Sequence, residues 1–363
     1  MPNRVGLLIL ALSLGIGVLA CAPDYPNVLA CEDVGELHAI CGLQNPEDLA
    51  LLPEREKVIV SQFGSMDGTR AGSLVFLDLE DESIESAFEG GQDSRTHPDG
   101  EAWGDAECPG PPGVLFSPHG IDLAAFQSER LRLLVVNHGG RESVEIFEVN
   151  SADRTPELIW RGCALPPEGT YMNDVVSLPD GGFLVTHMMS KDSPNFGLIR
   201  ATLGLDTGRV YEWHRGRGFT AVPGTEAPFP NGIELSEDAR SLFLNVYSSG
   251  EVRRIERESG RELGRAAIPG PDNITWGRRG QLLVASHRGS FADQLSCLDV
   301  KKGACGMEFA IVALEPENME TTILFSHAGA PMGAGTVALD LGDGELLIGS
   351  FAADRMLRVP PRK

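Results

Sequence analysis

The chain has 363 residues, of which 52 are Asp or Glu and 30 are Lys or Arg, giving a formal net charge of −22 at pH 7. That charge opposes attraction to phosphate backbones and anionic membrane surfaces, which argues against nucleic acid as a partner. Once a leader is set aside, the length fits either two ordinary domains or one large closed all-β fold.

Arg4 precedes an apolar run from Val5 to Ala20, with the charged start and short hydrophobic stretch of an export signal. The run is too short to read as a membrane span. It ends in Val18-Leu19-Ala20-Cys21, which is similar to a bacterial lipobox. Residues 1–20 are therefore expected to be a signal peptide, Cys21 the lipid-bearing first residue of the mature protein, and 21–33 a tether. The expectation is a periplasmic or cell-envelope lipoprotein whose only attachment to a membrane is that lipid.

Setting Cys21 aside leaves Cys31, Cys41, Cys108, Cys163, Cys297 and Cys305, an even set in a compartment where disulfides persist. None has zinc-ligand spacing. The close pairs 31/41 and 297/305 suggest local loop staples, leaving 108 with 163, although spacing alone does not fix connectivity.

From Glu47 onward the chain repeats one pattern: a short polar start, an apolar strand, a turn, and a second apolar run ending in small or polar residues. The copies begin at Glu47, His119, Asn173, Asn231, Asp272 and Gly335. Turns such as Asp180-Gly181-Gly182 and Gly342-Asp343-Gly344 mark each copy as a β-hairpin. A further strand pair follows most of them, which gives about four strands per copy and predicts a six-bladed β-propeller as a single domain over 34–363. The sixth copy has room for three strands, so a strand near Glu36 to Ile40 is expected to complete it. The insertion from about Phe88 to Pro112, rich in Gly, Pro and acidic residues, reads as an exposed loop.

Five copies open with residues that a core strand does not choose: Glu47-Asp48, His119-Gly120, Asn173-Asp174, Asn231-Gly232 and Asp272-Asn273. Any one of these is ordinarily a turn former or a strand-start cap. Five in the same phase point to a shared site, because equivalent positions on different blades converge at the propeller axis. Oxygen donors without cysteine suit a hard cation, and calcium accepts six to eight oxygens. Adjacent residues in extended chain point to opposite sides, so two ions are expected. Glu47 and Asp272 balance the charge of one, Asp48 and Asp174 that of the other. His138, His187 and His287 close the far ends of the same hairpins and face the same mouth, and His119 and His138 share one hairpin as a candidate hydrogen-bonded pair.

At these residues the chain resembles the paraoxonase/arylesterase family, within the wider senescence-marker-protein/gluconolactonase group of propellers. The resemblance rests on FSPHGI from Phe116, LLVVNH from Leu133, NDVV from Asn173, PNGIELS from Pro230, DNI from Asp272 and TVALDLGDGELLIGS from Thr336. It implies a catalytic calcium held by Glu47, Asn173, Asn231, Asp272 and Asn273, and a structural calcium held by Asp48, Asp174 and the Ile121 carbonyl. It also implies a catalytic histidine dyad of His119 and His138, and hydrolysis of small lactones, aryl esters and sometimes organophosphates. Two departures stand out: the family's terminal cysteine bridge has no evident C-terminal half, and the segment after His187 differs from the animal enzymes.

The expected chemistry is attack of water on a metal-polarised carbonyl, with His119, assisted by His138, accepting the proton. Asp272 is the alternative base or nucleophile, and His187 and His287 are candidate substrate contacts. Two rival readings remain, a gluconolactonase-like sugar lactonase with a single metal and a non-catalytic surface propeller that binds a sugar or peptide.

Overall fold

A computed structural model describes residues 25–361, apart from 66–67, 92–100, 128–129 and 152–155. The expected leader and Cys21 lie outside the described residues. Six four-stranded antiparallel sheets are arranged as the blades of a propeller. Blade 1 comprises Pro46–Leu51, Lys57–Gln62, Ser73–Asp78 and Ile84–Phe88; blade 2 comprises Pro118–Phe126, Arg130–Asn137, Ser143–Asn150 and Glu157–Ala164. Blades 3, 4 and 5 follow the same succession from Thr170, Pro230 and Pro271. Blade 6 takes Gly335–Gly342, Glu345–Ser350 and Arg355–Val359 from the C-terminal end, and His38–Cys41 supplies its outer strand. The expected closure of the ring by both ends of the chain is observed, two residues downstream of where the pattern put it.

The alternation of side chains along a strand accounts for the core. Leu133 and Val135 pack with blade 1 residues such as Ile59 and Phe76. Leu134 and Val136 point the other way, onto Val175 and Val185 of blade 3. The apolar runs are therefore continuous because both faces of each blade are covered. The core is a ring of six seams between neighbouring blades. Each fully buried Val or Leu in a seam contributes about 1.5–3 kcal/mol, so the ring closes on apolar contact and leaves the axis free for polar groups.

All three expected disulfides are present: Cys31–Cys41, Cys108–Cys163 and Cys297–Cys305. The described part of the expected tether, residues 25–33, runs against the propeller: Val28 exchanges two main-chain hydrogen bonds with Ala304, and the buried Arg355 guanidinium donates to the Ala30 carbonyl. The insertion 88–112 departs from the expected exposed loop in its second half. Trp103 is buried against the outer strand of blade 2, with the guanidinium groups of Arg130 and Arg161 over its ring. Asp105 accepts a hydrogen bond from the Trp213 indole at 2.9 Å. One large aromatic and a disulfide outweigh the loop-forming composition around them.

Two helices interrupt the strands, α1 (Pro194–Thr202) after the second strand of blade 3 and α2 (Phe291–Leu298) after the second strand of blade 5. Among the described residues no helix is long and apolar enough to cross a membrane.

Candidate active site

Every innermost strand breaks register where the polar residues fall. The irregularities lie between Pro46 and Asp48, Pro118 and Ile121, Met172 and Val175, Pro230 and Ile233, Pro271 and Ile274, and Gly335 and Val337. A bulge re-aims side chains that a regular strand sends to alternate faces. Two glycines let the bulged segments approach. A Cβ on Gly120 would lie 2.6 Å from the Asn173 carbonyl oxygen, and one on Gly232 would lie 2.3 Å from that of Asp272.

Residues far apart in the chain are thereby bonded at the axis. The Asn273 side-chain amide donates to Glu47 Oε1 at 3.0 Å, and the Thr336 hydroxyl donates to the Glu47 carbonyl at 2.7 Å. The Asn231 amide bonds the Asp272 carboxylate. His119 Nε2 lies 3.6 Å from Glu47 Oε1, and His287 Nε2 lies 3.5 Å from Asp272 Oδ2. Asn173 is buried at the equivalent bulge of blade 3, where its amide nitrogen contacts the Met188 sulfur at 3.3 Å.

Four oxygens of this group, Glu47 Oε2, Asn173 Oδ1, Asn231 Oδ1 and Asn273 Oδ1, are buried without a hydrogen-bond partner. A buried unpaired polar atom costs roughly 1–3 kcal/mol, and four such atoms, all acceptors, form a donor set that fits a cation. Among the described residues no group of three His, Cys, Asp or Glu side chains forms a metal site; the donor set here mixes amides with carboxylates.

Deeper along the axis, Asp48 Oδ2 accepts from the Ile121 amide at 2.7 Å and Asp174 Oδ2 accepts from the Ile233 amide at 2.8 Å. Each carboxylate ties its own blade to the next. Both line a cavity of about 120 Å³ together with Asp122 and Glu234, two acids that the sequence reading passed over. Their signal was present, one residue beyond HGI and NGI, where the strand alternation returns a polar group to the axis.

Burial dominates the electrostatics. It pushes the Glu47 carboxyl well above its usual range, with further repulsion from Asp48 and Asp272. It raises Asp48 and Asp272 to about 7 and Glu234 to about 8, and pushes Asp174 well up, with Asp48 adding repulsion. Buried carboxylates stay charged only when positive charge is supplied. The donor set and its electrostatics therefore fit divalent cations.

Beside this axis runs a chain of hydrogen-bonded titratable groups. His119 Nδ1 lies 3.0 Å from His138 Nε2, and His138 Nδ1 lies 3.0 Å from Glu142 Oε1. Glu142 also accepts from Lys191 Nζ at 2.8 Å and from the Met172 amide at 2.8 Å. Burial pushes Glu142 up, but His138 and Lys191 hold it below the ordinary carboxylate range. Burial, then His138, drives His119 well below the usual histidine value. Across the mouth the Tyr247 hydroxyl lies 2.9 Å from His287 Nδ1, and burial lowers His287 to about 4. His187 is half-buried and accepts from the Tyr171 amide at 3.1 Å. Glu142 and Tyr247 were missed in the sequence because neither lies in the repeat's polar phase.

Fold and site define a six-bladed propeller whose mouth gathers buried oxygen donors beside paired histidines. Residues 39–357 match the arylesterase family model, and the chain belongs to that family. It is accordingly a hydrolase of esters and lactones, with small molecules as substrates. Two solved structures, with TM-scores of 0.53 and 0.50, agree on the fold. A protein assigned as a gluconolactonase shares 14% identity over 93% of this chain and 96% of its own, with a TM-score of 0.53. A luciferin-regenerating enzyme shares 13% over 88% and 91%, with a TM-score of 0.50. A gluconolactonase from Xanthomonas campestris shares 16% over 93% and 96%, with a TM-score of 0.49. No curated protein sequence matches the chain. The disulfides fit an exported protein.

Proposed function

We propose that this hydrolase depends on calcium and cleaves lactones and aryl esters at the mouth of the propeller. Glu47, Asn173, Asn231, Asp272 and Asn273 would hold one ion, and Asp48, Asp174 and the Ile121 carbonyl a second. The observation that carries the reading is the set of four buried, partnerless acceptor oxygens on Glu47, Asn173, Asn231 and Asn273. When bound, calcium supplies a Lewis acid that polarises the ester carbonyl and stabilises the oxyanion formed from it.

The side chains of the mouth handle the proton. With Glu142 ionised, His138 carries its hydrogen on Nδ1 and presents Nε2 as an acceptor to His119 Nδ1–H. His119 Nε2 is then the free base, kept neutral at pH 7 by burial, and it accepts the proton of the attacking water. The positive charge so formed is shared through His138 with Glu142. Phe63, stacked on His119 with ring centroids 4.8 Å apart, shields the imidazole from bulk water. Asp272 is the alternative base or nucleophile. His187 and His287 are proposed to contact the substrate, His287 through a buried Nε2 that accepts and donates no hydrogen bond among the described residues.

The test is hydrolysis of a γ-lactone and of phenyl acetate by protein stripped with a chelator and then reloaded. Activity lost on stripping and restored by calcium is expected; hydrolysis that persists without calcium overturns the metal assignment. The His119→Gln and Asp272→Asn variants, compared at equal calcium occupancy, separate the two candidate bases. A signal peptide at 1–20 and a lipid on Cys21 belong to the same proposal, an enzyme anchored in the cell envelope. Mass spectrometry of the mature N-terminal peptide decides it, and an unmodified Cys21 rules the anchor out.

A further inference from the structure

A cavity of about 380 Å³ opens where blade 1 and blade 6 meet at the mouth, within the range of small-molecule sites. Phe63 and Phe351 form its inner wall, Leu298 and Val300 its outer wall, and Arg70 and Lys301 stand at its rim. The inner wall adjoins the candidate active site: Phe63 stacks on His119, and the Phe351 ring centroid lies 5.6 Å from that of His287. The outer wall is the end of α2 and the turn after it, tied down by the Cys297–Cys305 bridge. A pocket next to the catalytic histidines, apolar inside and walled by a stapled insertion, is placed to take the acyl part of a substrate.

The rim of the cavity carries two basic residues. In a chain of net charge −22, two exposed cations border one apolar cavity. The Arg70 Nε donates to the Gly64 carbonyl at 2.6 Å, and among the described residues neither Arg70 nor Lys301 takes part in an ion pair. Lys191 and Arg141 are by contrast each paired, Lys191 with Glu142 at 2.8 Å and Arg141 with Glu145 at 2.7 Å. Two cations outside any ion pair among the described residues attract an anion to that spot, and a guanidinium pairs well with a carboxylate.

We propose that this cavity is the acyl subsite and that the enzyme's preferred substrates are esters or lactones whose acyl chain ends in a carboxylate. The chain lies against Phe63 and Phe351, and the carboxylate meets Arg70 and Lys301. Hydrolysis adds water across the ester C–O bond; an ester then releases its alcohol and a dicarboxylate, and a lactone opens to a single hydroxy-dicarboxylate. The inference rests on the hydrolase reading and narrows its substrate class.

The test compares 4-nitrophenyl octanoate with mono-4-nitrophenyl suberate, and separately measures suberate binding by calorimetry. The wild type is expected to favour the carboxylated ester in kcat/KM by about tenfold, the scale of one charge-assisted contact. In the Arg70→Gln/Lys301→Gln variant that ratio falls to about one and suberate binding weakens about tenfold, whereas Arg70→Lys retains most of both. A ratio near one in the wild type, or a ratio and suberate affinity both unchanged in the double variant, overturns the proposal. If no variant cleaves either ester the hydrolase reading falls, and the calorimetry still decides the subsite.

Discussion

His138 Nδ1 lies 3.0 Å from Glu142 Oε1, four residues further along the chain, while its Nε2 faces His119. With Glu142 ionised, that one contact would set the tautomer of both imidazoles in the proposed relay. Replacing Glu142 by Gln keeps the shape and lets the amide present either its oxygen or its nitrogen to His138. Expected is a fall in kcat of about 10²–10³-fold with KM little changed, and bound calcium the same as in wild type. Glu142→Asp should recover part of the rate. Equal kcat for Glu142→Gln and wild type would remove the residue from the relay.

Asp48 illustrates how a ligand assignment can be read from stability alone. Its carboxylate braces the Leu49 and Ile121 amides, yet burial pushes it up to about 7, so its charge is a burden unless a cation is near. Asp48→Asn is therefore expected to lose roughly 2–3 kcal/mol in calcium-saturated protein, the linkage expected of an ion present at about a hundred times its Kd. In chelator the same variant should lose less, because relief of the buried charge offsets the one hydrogen bond that the amide nitrogen cannot accept. Urea midpoints in the two conditions check it, and an equal loss in both would assign Asp48 a purely structural bond.

The ring closure titrates. His38, in the strand that completes blade 6, has Nε2 2.8 Å from Glu82 of blade 1 and Nδ1 2.8 Å from Asp33. Glu82 first, then Asp33, raises its pKa above the usual histidine value. A raised folded pKa contributes stability that is complete below about 6.5, and that stability is lost as pH climbs through the folded value. The side chain is 42% exposed, so the contribution stays under about 1 kcal/mol. His38→Gln should lower the thermal midpoint at pH 5.5 and match wild type at pH 9. A gap independent of pH would mean that packing, and not charge, is what His38 supplies.

Much of the fold was legible because a propeller repeats itself. The six repeat starts at Glu47, His119, Asn173, Asn231, Asp272 and Gly335 all lie on innermost strands, since one strand geometry imposes one phase of burial. The same regularity brought Glu47 to Asn273 across 226 positions of sequence. What escaped was whatever sits off that phase. Glu142 follows its strand by a turn, and Tyr247 lies just past the end of another, so only tertiary packing brings them to the histidines. Trp103 was hidden by the acidic, glycine-rich residues around it, whose composition argues for exposure while a single indole dictates burial. The bulges were illegible as well, because alternation in sequence assumes a regular pleat, and it is the break in the pleat that re-aims the paired residues.

The Cys108–Cys163 bridge joins the insertion to the outer strand of blade 2 across 55 positions. A loop of that length gives up about 4 kcal/mol of chain entropy in the unfolded state. The Cys108→Ser/Cys163→Ser variant is expected to unfold with about 2–4 kcal/mol less stability, measured by urea denaturation. Because the bridge sits on the outer edge while the histidines sit at the axis, kcat/KM for phenyl acetate at 25 °C should stay within about twofold. A large loss of activity in a folded variant would mean that the insertion reaches the mouth.

The last prediction concerns how closely the blades must approach. A Cβ at position 232 would meet the Asp272 carbonyl oxygen at 2.3 Å, the Asn245 side-chain amide at 2.8 Å and the Asn273 Cα at 2.9 Å. Two of these are main chain on the neighbouring blade and cannot swing aside, so Gly232→Ala must move blade 4 away from blade 5 at the axis. That shift separates Asn231 from Asp272, two proposed ligands of one ion, and overpacking of this kind costs about 1–3 kcal/mol. The variant should therefore bind calcium more weakly and lose hydrolysis at limiting calcium, with both recovering as calcium is raised. Gly344→Ala is the control: position 344 has a positive φ, of 89°, and open space around it, its nearest neighbour lying 3.7 Å away in the Pro361 side chain. It should lose stability through backbone strain alone, with calcium affinity unchanged. Equal calcium binding in Gly232→Ala and wild type would show that the ligand cage tolerates a wider axis than the close packing of blades 4 and 5 implies.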